Sequence, residues 1–217
     1  MKIGLFGGTF NPVHSGHVTI IADLVSSFPL DRVIIIPAAT PPHKPSDFMA
    51  DISMRLEMAR LAFAAMPQCV VSDIETRRPG RSYSIDTVTH FLKTLPPDGG
   101  LFFITGLDAF LELDTWKQYL NLVEIISFIV INRPFSGQPA LEALASFLSA
   151  KISADYAYNP EKACFVHPTL KPIFFYQHPT VGISSTEIRR RLKSGRPVRS
   201  LLPMAVEQFI KEKGLYQ

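Results

Sequence analysis

The sequence predicts an α/β fold, in which a doubly wound parallel sheet of about six strands carries helices on both faces. Short apolar runs alternate with amphipathic segments along most of the chain. The run Val33-Ile34-Ile35-Ile36 is β-branched throughout, which is typical of a strand buried on both faces of a parallel sheet. Glycine, proline or polar residues follow the apolar runs, as expected of the loops at the carboxyl edge of such a sheet.

Element boundaries follow from these patterns. Strands are predicted over 2–6, 32–36, 69–72, 101–105, 124–132 and 172–176. Helices are predicted to begin near residues 15, 51, 82, 141, 182 and 201. On the helix over 51–66, the residues expected to face the sheet are Met54, Met58, Leu61, Ala62 and Ala65. The rest of 135–172 is expected to be irregular.

Size and charge favour one domain that binds phosphorylated small molecules. The 217 residues, 47% of them hydrophobic, suit a single domain over 1–217. The part of this domain from about residue 180 is expected to be helical and to carry a second phosphate-binding motif. The net charge of +3 is mild, and Arg189-Arg190-Arg191 is the sole basic cluster, so a nucleic acid polymer is not expected as a partner. The two cysteines lack metal-type spacing, the start has no apolar leader, and no apolar run is long enough to span a membrane. These features predict a cytoplasmic protein that binds no membrane.

The stretch over residues 7–17, Gly-Gly-Thr-Phe-Asn-Pro-Val-His-Ser-Gly-His, carries the strongest functional signal. It joins the first strand to a helix that begins near Ser15, so His14 and His17 flank a helix start. Free amides and the helix dipole favour an anion there, and two imidazoles can donate to phosphate oxygens. The alternative is a glycine-rich turn followed by two surface histidines, since metal ligation usually needs a third ligand.

The complete stretch resembles the His-x-Gly-His signature of the nucleotidyltransferases, and its longer form is most similar to bacterial nicotinate-nucleotide adenylyltransferases. The resemblance extends over nearly the whole chain and implies a Rossmann-like fold. It implies that the loop holds ATP through Gly7, Gly8, Thr9 and Phe10, and that His14 and His17 act in catalysis.

Polar residues after later strands match the same family. His43 and Lys44 stand in a Pro-Pro-His-Lys element that approaches substrate phosphates in the family, although a stiff proline-rich linker is the alternative. Gly106 and Asp108 form a Gly-x-Asp motif suited to ATP and its ribose hydroxyls, unless Asp108 is only a solvated or capping residue. Arg133 could meet the mononucleotide phosphate or form a surface salt bridge.

Two further segments resemble the family's site for the pyridine end of nicotinate mononucleotide. Ser82 to Thr87 matches a Ser-Tyr-x-x-Asp-Thr motif, which implies binding by Tyr83, Asp86 and Thr87; a plain cap by Ser84 or Asp86 is the alternative. Trp116, by default a packing residue, lies near the nicotinate ring in the family. Lys117 departs from the aromatic residue of many relatives, and it either reaches the substrate carboxylate or points to solvent.

The last motif is Ile183-Ser184-Ser185-Thr186-Glu187-Ile188-Arg189, which opens a helix. Hydroxyls, free amides and an arginine one turn into the helix suit a phosphate, although Ser185 could be a simple N-cap. The string matches the family's second signature, which implies ATP binding by Ile183, Ser184, Ser185 and Thr186 and a catalytic role for Arg189.

These motifs predict adenylyl transfer from ATP to nicotinate mononucleotide, with Mg²⁺ carried on the ATP phosphates and no protein ligand set. No motif for covalent catalysis occurs in the sequence, so the chemistry is expected to rest on positioning and charge. Two alternatives remain: another small nucleotidyltransferase such as a phosphopantetheine adenylyltransferase, or a nucleotide-sensing module without turnover.

Overall fold

The computed structural model describes residues 1–41, 49–96, 98–132, 140–178 and 182–217. Within it the chain divides into two units. The first unit comprises Met1–Phe6 and Tyr83–Val181, and the second comprises Gly7–Ser82 and Gly182–Gln217. The single domain expected from the sequence stays a prediction.

Eight strands lie in the described part of the chain. They are β1 (Lys2–Gly8), β2 (Arg32–Pro37), β3 (Cys69–Val71), β4 (Gly100–Gly106), β5 (Ser127–Asn132), β6 (Ala157–Asn159), β7 (Cys164–Val166) and β8 (Ile173–Gln177). The α/β fold and its mostly parallel strand pairing are confirmed, with eight strands where the sequence predicted about six.

In the first unit, residues 2–6 of β1 pair with β4, β4 with β5, and β5 with β8, all in parallel. The register places Leu5 opposite Phe103 and Ile129 opposite Phe174. The antiparallel strands β7 and β6 extend this sheet beyond β8. In the second unit β2 pairs with β3 in parallel, and its residues 33–37 are all buried, as the β-branched run predicts.

Two sequence predictions fail in the first unit. The segment over 157–166, expected to be irregular, forms the β6–β7 hairpin, because strands of three residues are too short to show a period. Strand β5 begins at Ser127 and not at 124, since residues Tyr119–Ile125 form a helix that buries Leu122 and Val123. A short apolar run is compatible with either structure.

The helices of eight or more residues are α1 (Ser15–Ser27), α2 (Ile52–Phe63), α3 (Ser84–Leu92), α6 (Ala140–Lys151), α7 (Ser185–Lys193) and α8 (Met204–Glu212), with the shorter α4 (Leu107–Phe110) and α5 (Tyr119–Ile125) between them. Ser184, one residue before the Ser185 considered as a cap, receives a hydrogen bond from the Glu187 amide and caps α7. Neither Ser84 nor Asp86 caps α3, whose N-cap is Tyr83. None of the helices in the described ranges is long and apolar enough to cross a membrane.

The buried face of α2 differs from the expected one. Met58 and Ala62 are buried as predicted, whereas Ala65 lies beyond the helix end and is exposed. The helix instead buries Arg55, whose exposed fraction is 1%. An apolar pattern places every charged residue on the solvent side of a helix. The pattern therefore predicted a buried face beginning at Met54, whereas the buried face includes the adjacent Arg55.

Candidate active site

The loop over residues 9–14, here called the histidine loop, belongs to the second unit and leads from the end of β1 to α1. Phe10 is buried and adopts φ of 48°, a left-handed conformation that few bulky residues take. Its ring lies so close to Gly8 that a Cβ there would come within 2.9 Å of it. Gly8 therefore allows the folded loop to pack against the end of β1.

His14 is the N-cap of α1, and His17 occupies its third position. Their rings stack with centroids 3.6 Å apart at an angle of 21°. The main-chain N–H of His14 donates to Nδ1 of His17 over 3.2 Å, so in the neutral His17 ring the proton resides on Nε2. This arrangement makes His17 Nε2 a hydrogen-bond donor, the role that a phosphate-binding imidazole needs. His14 is 4% exposed and is therefore no surface histidine.

Gly16 is the glycine of the His-x-Gly-His sequence. A Cβ at this position would meet Nδ1 of His14 at 3.1 Å and Cβ of Ile183 at 3.4 Å. The absence of a side chain thus lets the His14 ring lie against α1. It also brings Ile183, from the second signature, into contact with the first.

Helix α7 holds the histidine loop directly. The Ser185 hydroxyl donates to the Pro12 carbonyl over 2.9 Å, and Arg189 Nη1 donates to the Asn11 carbonyl over 2.7 Å. Arg189 Nη2 also reaches Oγ1 of Thr186 at 3.3 Å. The structure therefore brings together the two predicted phosphate-binding motifs, which are separated by about 170 residues of sequence.

The other two arginines of the basic cluster are engaged elsewhere. Arg190 and Arg191 both pair with Glu187, at 2.8 Å in each case. Their guanidinium groups lower the pKa of Glu187 to about 2. Arg189 is thus the member of the cluster whose side chain turns back to the histidine loop.

Arg55 was missed by the sequence analysis and links the histidine loop to two other segments. Its Nη1 donates to the carbonyls of Thr9 (2.8 Å) and Ala38 (2.6 Å), its Nη2 to that of Ala39 (3.2 Å), and its Nε to that of Ala50 (3.0 Å). Burial lowers the pKa of Arg55. No sequence motif marks such a residue, because its acceptors are main-chain carbonyls from three separate segments.

The first unit carries a second cluster at the start of α3. Lys117 Nζ lies 3.3 Å from Oδ2 and 3.4 Å from Oδ1 of Asp86, and 4.6 Å from the centroid of the Tyr83 ring. Thr87, next in the helix, is 2% exposed. In this structure the Lys117 ammonium therefore lies on Asp86 and Tyr83, and its contact with the substrate carboxylate stays a prediction.

Trp116 and Asp108 lie in the same unit. The partly exposed Trp116 packs edge to face on Phe103, with centroids 5.7 Å apart. Gly106 ends β4, and Asp108 is exposed in the first turn of α4, directly beyond that strand. His43, Lys44 and Arg133 lie outside the described residues, and their roles stay predictions.

Comparison with known proteins agrees with the motifs. Residues 5–191 match the cytidylyltransferase-like family. Proteins named "Probable nicotinate-nucleotide adenylyltransferase" from Citrifermentans bemidjiense and Geobacter sulfurreducens are 43% and 39% identical, over 100% of this chain and 98% of each relative.

Solved structures share the fold. Plasmodium falciparum nicotinic acid mononucleotide adenylyltransferase complexed with NaAD has a TM-score of 0.74 at 16% identity, covering 99% of this chain and 97% of that one. Its complex with APC has a TM-score of 0.72 at 16% identity, covering 99% and 96%. With full-length relatives above 30% identity, this chain belongs to the nicotinate-nucleotide adenylyltransferases of the cytidylyltransferase-like family.

Proposed function

We propose that this chain transfers AMP from ATP to nicotinate mononucleotide, giving deamido-NAD and pyrophosphate as a step of NAD biosynthesis. The observation that carries the proposal is the stacked pair His14–His17 at the start of α1, held by α7 through Asn11 and Pro12. The names of the relatives support the identity of the acceptor.

The chemistry needs no general base, because the phosphate of the mononucleotide is already ionised near neutral pH. It attacks the α-phosphorus of ATP in line, and the bond to the bridging oxygen of pyrophosphate breaks. Negative charge then grows on that oxygen, and donors placed beside it lower the barrier. His17 Nε2, His14 and Arg189 are the proposed donors, since all three meet at the histidine loop.

ATP would be held by groups from both signatures. The glycines at the end of β1 expose main-chain amides to the phosphates, and the start of α7 adds amides and hydroxyls. Asp108, exposed just beyond β4, suits the ribose hydroxyls. The proposed ATP-binding residues are Gly7, Gly8, Thr9, Phe10, Gly106, Asp108, Ile183, Ser184, Ser185 and Thr186.

Nicotinate mononucleotide would be held at its pyridine end by the cluster on α3. The start of this helix presents amides and a positive dipole end to the pyridine carboxylate, and Trp116 offers a ring face. The Lys117 ammonium, already beside Tyr83, adds a positive charge. The proposed mononucleotide-binding residues are His43, Lys44, Tyr83, Asp86, Thr87, Trp116, Lys117 and Arg133.

Mg²⁺ is proposed to arrive on the ATP phosphates, where it supplies charge neutralisation of the triphosphate. Over the described ranges, no three or more His, Cys, Asp or Glu side chains come together as a metal site. The donors near the histidine loop are imidazole, guanidinium and hydroxyl groups, which suit phosphate oxygens better than the metal itself. A location in the cytoplasm fits these substrates and the two free cysteines, Cys69 and Cys164.

The test is pyrophosphate release by the purified protein, with ATP and a panel of acceptors: nicotinate mononucleotide, nicotinamide mononucleotide and phosphopantetheine. We expect turnover with the nicotinate nucleotide, favoured over its amide by roughly 30- to 1,000-fold in kcat/KM. The amide would place its NH2 group, a hydrogen-bond donor, against the donor N–H groups at the start of α3. Turnover with phosphopantetheine alone would identify a different nucleotidyltransferase. ATP binding without turnover on any acceptor would indicate a sensing module.

A further inference from the structure

Asn11 is a junction at which three distant segments meet the histidine loop, two of them at its side chain and one at its main-chain carbonyl. Its Oδ1 accepts from the Tyr216 hydroxyl over 2.6 Å and from the main-chain N–H of Ala50 over 3.0 Å. Its carbonyl accepts from Arg189. Asn11 is only 7% exposed, so its two acceptor oxygens lie largely away from bulk water, where a hydrogen bond is electrostatically stronger.

Tyr216 reaches this junction through a turn after α8. The helix ends before Gly214, whose φ of 61° reverses the chain, and Tyr216 itself adopts φ of 63°. A tyrosine in the left-handed region needs contacts that hold it there. Burial raises the pKa of Tyr216 above its usual range, so the phenol stays protonated and remains a donor to Asn11.

From these contacts we propose that Tyr216 is a positioning residue for the histidine loop: by fixing the Asn11 side chain, it sets where His14 and His17 lie during adenylyl transfer. Asn11 is followed by Pro12, whose carbonyl is held by Ser185, and by the fully buried Val13. The chain between the junction and His14 is thus tightly constrained. A shift at Asn11 is passed on to the imidazoles and not absorbed in the loop.

The kinetic part of this inference rests on the proposed function. Small misplacements of catalytic groups are costly, since 1 Å can reduce a rate about 10²-fold. Removing the hydroxyl with Tyr216→Phe preserves the ring and takes from Asn11 Oδ1 the hydrogen bond of the Tyr216 hydroxyl, while the Ala50 N–H still donates to it. We expect kcat to fall about tenfold, with the KM for each substrate within about twofold of wild type, because the binding groups themselves remain.

Tyr156→Phe is the matched control. The Tyr156 hydroxyl donates to the Lys171 carbonyl over 2.9 Å, and burial raises the pKa of Tyr156 as it does that of Tyr216. This control removes the same hydroxyl from a partly buried tyrosine of the first unit, at a hydrogen bond more exposed than that of Tyr216 and outside the histidine loop. We expect its kcat and both KM values to stay at wild-type levels.

A second readout, hydrogen exchange of the His14 amide, does not depend on activity. This amide donates to His17 Nδ1, and we expect it to exchange at least about tenfold faster in Tyr216→Phe than in the wild type or in Tyr156→Phe. Wild-type kcat and wild-type exchange at His14 in Tyr216→Phe would overturn the inference. So would a lowered Tm with kcat per folded molecule unchanged, because Tyr216 would then only stabilise the fold.

The two proposals can fail separately. If the wild-type protein turns over no acceptor, the proposed function fails, and the exchange measurement alone decides whether Tyr216 positions the loop. If the wild-type protein makes deamido-NAD and Tyr216→Phe is as fast, with unchanged exchange, the proposed function stands and the role of Tyr216 is refuted.

Discussion

His17 combines two roles that one substitution can separate. Its Nδ1 accepts the main-chain N–H of His14 and so completes the start of α1, while Nε2 is the proposed donor to the phosphate. Asparagine places its Oδ1 near the position of Nδ1 but has no atom at that of Nε2. His17→Asn should therefore keep the hydrogen bond to His14 and remove the donor, whereas His17→Ala removes both.

The expected magnitudes follow from these contacts. Loss of one transition-state donor costs roughly 10²- to 10³-fold in kcat, or about 2.7–4 kcal/mol, and applies to both variants. Loss of the capping hydrogen bond costs about 1 kcal/mol, which in a chain of this size lowers Tm by about 2–4 °C. Both variants also lose the edge contact of His17 with Phe10, at 5.1 Å between centroids, so this loss cancels in the difference between their Tm values. That difference reports the cap less the lower helix propensity of asparagine relative to alanine.

The assay is pyrophosphate release under saturating substrates, with Tm measured by calorimetry on the same samples. We expect equal losses of kcat in His17→Asn and His17→Ala. We also expect the Tm of the alanine variant to lie below that of the asparagine variant. A kcat near that of wild type in His17→Asn would remove Nε2 from the mechanism. Losses of kcat that track Tm would reduce His17 to a capping residue.

Three further outcomes are expected. Arg55→Lys retains charge but cannot serve four carbonyls, so the free energy of unfolding measured in urea should fall by about 2–4 kcal/mol, while Arg60→Lys, at an exposed ion pair, should leave it nearly unchanged. Lys117→Met removes the ammonium beside Tyr83 and should reduce the preference for nicotinate over nicotinamide mononucleotide by about threefold or more in kcat/KM; an unchanged ratio would place Lys117 outside recognition. Because the pKa of Glu187 is lowered to about 2 from its usual 4.5, its ion pairs stabilise the fold above about pH 4.5 and lose that effect as the pH falls towards 2. The Tm of Glu187→Gln should therefore lie below that of wild type at pH 7 and meet it near pH 2. A difference in Tm that persists at pH 2 would contradict the pairing.

The sequence was sufficient where a structure depends on local pattern. The β-branched run of β2 and the helix start at Ser15 follow from side-chain period and turn residues, and both are found where they were expected. The histidine stretch was recognised because its glycines and histidines are adjacent in the chain. The contact of this stretch with Ser185, made at the Pro12 carbonyl, followed from the fold class, since loops after parallel strands meet at one edge.

Residues that act across the chain could not be found in this way. Arg55 lies on a helix face where a charged residue is normally solvated, and only the folded loops supply its four carbonyl acceptors. Tyr216 stands in a terminal turn whose local sequence predicts only the end of a helix. The last two residues of the helix over Tyr119–Ile125 were assigned to the following strand, because a short apolar run is compatible with both periods.

Direct in-line transfer of the adenylyl group by groups of the histidine loop requires one displacement and no covalent intermediate. The stereochemistry at the α-phosphorus tests it most directly, with ATP that carries sulfur in place of one α-oxygen in a single configuration. One in-line displacement inverts this centre, so we expect deamido-NAD with the inverted configuration. Retention would require two displacements through an adenylylated side chain and would rule out direct transfer.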